Sequence, residues 1–167
     1  PSFRDGLSRL AQMGYSFDAW VYHTQLQELV DVARACPEAT LIVNHLGGPL
    51  GIGLYAGRRD EIRPMWRSSL AELASCPNVV MKLGGIGMPS VGFEWHLREK
   101  PIGSEELASD MAPILNYCIE KFGPSRCMFE SNFPVDKVSF SYNIMYNDFK
   151  RLSKDYSASE RAAMFHD

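Results

Sequence analysis

Four times along this chain an apolar, strand-like run gives way to a longer segment of helical periodicity, and that alternation restricts the fold more than any other feature. The strand-like runs are "YSFDAWVY", "ATLIVNH", "PNVVMKLGG" and "RCMFE". A helix, "FRDGLSRLAQMG", precedes the first, with Gly14 as its stop. "TQLQELVDVARAC" places Leu26, Leu29, Val30 and Ala33 on one face, with Thr24 as the expected N-cap and Pro37 as the terminator. "EIRPMWRSSLAELASC" and "SEELASDMAPILNYCIEKFG" follow the next two strands, and Pro113 is expected to kink or split the second of them. Early Glu105 and Glu106 suit its N-terminus. "FSYNIMYNDFKRLSK" is the last clear helix.

Strands alternating with long helices imply βαβ units and a parallel sheet, an α/β fold. The unbroken apolar centre of "ATLIVNH" is that of a parallel strand covered on both faces. Ligands of such folds gather at the carboxyl ends of the strands. Those ends carry Tyr22 and His23, Asn44 and His45, Lys82, and then Glu130, Ser131 and Asn132. Long loops follow the second and third strands, whereas the returns from helix to strand are short and hold Pro, Asn or Gly. A functional rim above a plain floor produces that asymmetry.

His45 is the strongest single candidate: a Leu-Ile-Val strand delivers its imidazole to the rim, and Gly47 and Gly48 let the chain turn away. It suits proton transfer, metal binding or a bond to a substrate carbonyl. His23 holds the equivalent place one unit earlier, where it also suits helix entry. Glu130 is a candidate base, with a salt bridge to Lys82 or Arg126 as the alternative, and Asn132 is a candidate for orienting substrate. Proline disfavours helix at the residue before it, so Phe133-Pro134 redirects the chain. A charge at Lys82 needs a partner, either a substrate carboxylate or a neighbouring Glu. Tyr22, Trp95 and His96 complete the candidate substrate-binding set, the last two as a lid over a ring-shaped ligand. "GGPLGIG" lacks the GK[ST] ending of a phosphate loop and reads as a flexible rim loop. His166, near the end, is set aside.

The net charge of −3 and pI near 5.8 leave no basic stripe for nucleic acid or a membrane surface. No apolar run approaches the roughly 18 residues of a membrane span. Cys36, Cys76, Cys118 and Cys127 form no C-x-x-C pair, which excludes zinc-ribbon and thioredoxin chemistry and points to reduced thiols in a cytoplasmic protein. A start on Pro1 and an end within the helix-like "SASERAAMFHD" suggest a piece of a longer chain.

"LIVNHLGGPLG", "NVVMKLGG" and "RCMFESNFPVDK" together resemble the amidohydrolase-2 group of the amidohydrolase superfamily. The resemblance implies a (β/α)8 TIM barrel, of which residues 1–167 supply the last four units, strands five to eight. It implies a hydrolase that acts on a lactone or related cyclic ester or amide by water attack on a carbonyl at the mouth. A decarboxylase of the same family, or a non-catalytic barrel that binds a small acid, are the alternatives. One divalent metal ion, zinc or manganese, is the implied cofactor, with His23 as the candidate ligand here. The His-x-His of strand one is absent from this sequence. Asn132 stands where the superfamily usually carries an aspartate that handles the proton of the attacking water. The base role then passes to Glu130, Asp136 or a histidine. The expected partners are a small carboxylate or lactone substrate and a second copy of the chain. Four strands alone, with open edges and an unfilled interior, would be marginally stable or would associate.

Overall fold

The four strand-like runs become four short parallel strands in a computed structural model that describes residues 2–166. Pro1 and Asp167 lie outside the described residues, and with them part of the basis for expecting a cut chain. The strands are β1 (Phe17–Ala19), β2 (Leu41–Val43), β3 (Val79–Leu83) and β4 (Cys127–Phe129). They pair in sequence order, β1-β2-β3-β4, all parallel, with Phe17 opposite Leu41, Leu41 opposite Val79 and Met81 opposite Cys127. Helices α1 (Ser2–Gln12), α2 (Leu26–Ala35), α3 (Arg59–Ala74), α4 (Ser104–Phe122), α5 (Tyr142–Leu152) and α6 (Ala158–Phe165) complete the fold.

Strand alternation sorts the side chains onto two faces. Ala19, Leu41, Val43, Val79, Met81, Leu83, Cys127 and Phe129 point into the core. Fully burying a Val, Leu, Met or Phe side chain contributes roughly 1.5–3 kcal/mol. Apolar positions of α2, α3 and α4 meet them, among them Leu26, Val30, Leu70, Leu73, Leu107, Met111 and Leu115. The opposite face carries Asp18, Ile42, Val80, Lys82 and Met128, none of them fully buried. This corrects the expectation for β2: its apolar run is covered on one face only, because the helices lie on the side of Leu41 and Val43. All four cysteines are free and buried, and burial pushes Cys127 up to about 12.

Two helix boundaries also differ from expectation. Thr24 does not cap α2. A 3₁₀ turn, His23–Gln25, comes first, and the Gln25 side chain accepts from the Tyr22 N–H at 3.1 Å. Pro113 does not split α4, which runs unbroken through it. Ser141 and Ser157 cap α5 and α6 by accepting from Ile144 and Glu160 backbone N–H groups.

The floor is held by two polar side chains. Arg126 donates to the carbonyls of Ala74, Cys76, Val79 and Phe122 at 2.9–3.2 Å, joining the ends of α3 and α4 to the start of β3. Arg126 therefore serves the backbone and does not pair with Glu130. The Asn78 amide is directed at the carbonyls of Ala33, Cys36 and Ala39.

Candidate functional site

At the carboxyl ends of β2 and β4 the backbone bends through the left-handed region at residues that are not glycine. His45 has φ 53°, Leu46 58° and Asn132 48°. Such conformations are costly and concentrate at functional sites. The bends turn His45 and Glu130 toward each other: His45 Nδ1 lies 2.6 Å from Glu130 Oε1, which also accepts from the His45 backbone N–H at 3.2 Å. A carboxylate only accepts, so Nδ1 carries the hydrogen and Nε2 of the neutral ring keeps its lone pair. Both side chains are about 15% exposed, enough to reach solvent at the mouth.

β3 passes between them and ends in Gly84 and Gly85, which leave the necessary room. A Cβ on Gly84 would stand 2.3 Å from the Glu130 carbonyl oxygen, and one on Gly85 2.3 Å from His45 Nδ1. The Phe133–Pro134 peptide, just after Asn132, is cis. The Asn132 amide donates to Asp136 Oδ1 at 2.7 Å, while Asp136 Oδ2 accepts from the Gly87 N–H at 3.0 Å. Ser139 then donates to the Gly87 carbonyl at 2.6 Å. Asp136 is fully buried, and burial pushes its pKa up to about 6, against the opposing pull of the Gly87 and Asn132 bonds.

His23 is buried beneath the loop after β2. Its backbone N–H donates to the Gly48 carbonyl at 3.0 Å, its Nδ1 accepts from the Leu50 N–H at 3.2 Å, and Tyr55 packs edge-on at 4.9 Å. Burial lowers its pKa. Nε2 is buried with no hydrogen-bond partner among the described residues. His23 makes no hydrogen bond or ring contact with His45, Glu130 or Asn132, so the two histidines are not joined.

Lys82 pairs with Asp18 across the half-covered face of the sheet, a partner that the strand-end reading did not identify. Tyr22 is exposed beside Trp20, and Trp20 lies edge-on to the His45 ring at 6.1 Å. Trp20 was not singled out from sequence, although an aromatic so near a strand end in "FDAWVY" was a visible signal. Trp95 is not an open lid: it is buried, stacked on Phe93 at 4.2 Å and packed near Phe140. Aromatic surface of that size packs inward when neighbours allow it. His96, on the same 3₁₀ turn, stays half-buried.

No group of three or more His, Cys, Asp or Glu side chains among the described residues is placed to hold a metal ion. The donor chemistry agrees: the acceptor nitrogen of His23 is taken by Leu50, and the Asn132 amide is turned onto Asp136. These residues do not make a metal centre by themselves.

A parallel sheet with its polar groups gathered at the carboxyl ends of the strands defines a class of α/β proteins, and comparison narrows it. The amidohydrolase family model matches residues 1–167. The chain belongs to that family. It is 36% identical over its full length to an uncharacterized protein of Sinorhizobium fredii, y4mH, covering 50% of that protein. It is 29% identical to an L-fucono-1,5-lactonase of Burkholderia multivorans, over 98% of this chain and 52% of the other. An amidohydrolase from Burkholderia multivorans with bound zinc superposes with a TM-score of 0.81 at 27% identity, over 98% of this chain and 54% of that one. The chain thus spans about half the length of the relatives it matches. No helix among the described residues is long and apolar enough to cross a membrane.

Proposed function

We propose that this chain forms strands five to eight of an amidohydrolase barrel that opens a lactone, with His45 as the general base. The observation that carries this reading is the His45–Glu130 pair at 2.6 Å. Glu130 is then a positioning residue: it fixes the ring, holds the hydrogen on Nδ1 and steadies the imidazolium that forms. Water attacks the lactone carbonyl carbon while its proton passes to His45 Nε2. The tetrahedral intermediate collapses with cleavage of the ring C–O bond, and the imidazolium returns the proton to the leaving alkoxide, giving a hydroxy acid. Asn132, its amide spent on Asp136, keeps its carbonyl oxygen free to accept from the attacking water. His23 holds the rim loop, and its Nε2–H is a donor, so it is not a ligand in this state. Similarity to a protein named an L-fucono-1,5-lactonase supports the class of reaction.

The test is hydrolysis of a panel of sugar 1,4- and 1,5-lactones by the full-length protein, followed as proton release. His45→Ala should lower turnover about 10²–10⁴-fold while lactone binding persists. Turnover unchanged by that substitution would remove His45 as base. Saturable binding of lactones without any turnover would make this a small-acid-binding barrel instead.

A further inference from the structure

Beside the mouth, between α3 and the loops after β2 and β3, lies a narrow cleft with an enclosed volume of about 50 Å³ that opens to solvent. Leu50, Ile62, Trp66, Phe93 and Ile114 give it apolar walls, and Arg59 and Arg63 are its only charged lining among the described residues. None of His45, Glu130, Asn132 or His23 lines it. The Arg59 guanidinium sits 3.7 Å above the Phe93 ring, and its Nη2 is buried with no hydrogen-bond partner. Among the described residues Arg59 forms no ion pair. Arg63 reaches only Asp60, at 4.0 Å. Asp110 and Glu94 act on Arg59 from a distance, but burial and the like charge of Arg63 outweigh them and lower its pKa. Arg59 therefore brings to the cleft a positive charge with no ion-paired carboxylate among the described residues, and a buried donor left unpaired is costly.

We propose that this cleft is a second binding site, separate from the catalytic mouth, for a small organic carboxylate with an aromatic or branched apolar body. The guanidinium fork matches a carboxylate in two-point geometry. The walls formed by Ile62, Trp66 and Ile114 suit an apolar body, which inorganic phosphate lacks. Occupancy has a route to the mouth. Trp66 Nε1 donates at 2.8 Å to the carbonyl of Leu46, the residue after His45, and the backbone of the lining residue Leu50 donates to His23.

The experiment is calorimetric titration of the full-length protein with phenylacetate and with the neutral analogue phenylacetamide. The acid should bind saturably and at least about tenfold tighter than the amide. Arg59→Met should abolish that preference, and His45→Ala should leave it intact. Should Arg59→Met fail to fold by circular dichroism, Arg63→Met on the exposed side should still weaken the acid several-fold. Equal binding of acid and amide overturns the proposal, as does no saturation by about 10 mM. So does binding that ignores the arginine substitutions or is lost with His45.

Discussion

His45 and Asn132 occupy backbone conformations that side chains rarely adopt, and Gly85 leaves the room that the His45 ring needs. Gly85→Ala should therefore harm function more than fold. Its Cβ would strike the His45 ring at 2.3 Å, at a backbone φ of 68° that already disfavours alanine. We expect a stability loss of about 1–3 kcal/mol by denaturant melting, together with loss of most turnover as the ring leaves Glu130. Asp148 offers a test remote from the mouth. It is fully buried on α5, both carboxylate oxygens lack partners, and burial alone pushes its pKa to about 7 from the usual 3.8. A folded pKa raised on an acid means the folded state holds the proton longer. That residue then costs nothing below pH 3.8 and progressively destabilises the fold as pH rises toward 7. Asp148→Asn should gain stability at pH 8 relative to pH 4 by a few kcal/mol, on the order of 4 at most. Equal effects at both pH values would show that the carboxyl is not the protonated group. At this scale the sequence marked His45 and Glu130 as candidates and left their pairing hidden. His45 and Glu130 stood out as polar residues ending apolar strands, yet 85 positions separate them, and only the glycine end of β3 brings them together. The burial of Trp95 is not legible locally, because a loop aromatic carries no signal of the Phe93 stack that covers it.

Among the elements, polar residues divide by which end of a strand they occupy. At the carboxyl ends they face each other and the mouth; at the amino ends Asn78 and Arg126 satisfy backbone carbonyls that would otherwise be buried unpaired. The alternation of strands with helices and the long rim loops were legible because periodicity changes sharply between units. The entry to α2 was not: Thr24 suits a cap chemically, but the chain tightens into a 3₁₀ turn that places Tyr22 and Gln25 at that task. Arg126 likewise read as an ion-pair candidate, since nothing local reveals four carbonyls converging on it. Arg126→Leu should cost about 2–4 kcal/mol, because several buried acceptors lose their donor together. Arg126→Lys should recover only part of that, as an ammonium cannot span the fork. Chemical denaturation of the two variants side by side measures the difference, and a fully restored lysine variant would mean that charge, not geometry, holds the floor.

For the molecule as a whole, the decisive asymmetry is the sheet with one packed face and one half-covered face. Ile42, Val80 and Met128 lie on the latter, beside the Lys82–Asp18 pair, which at this exposure contributes little stability. In a complete barrel that face would be interior, and apolar surface left uncovered favours association. The 167-residue chain produced alone should therefore sediment as more than a monomer and bind a hydrophobic dye. Two substitutions on one strand separate this from simple unfolding. Ile42→Lys places charge on the half-covered face and should reduce association while leaving the melting transition nearly intact. Val43→Lys, one residue on, drives charge into a position with 0% exposure and should abolish cooperative folding. If both substitutions unfold the chain equally, Ile42 is packed after all, and the open face must lie elsewhere. If Ile42→Lys leaves association unchanged, the copies meet through another surface.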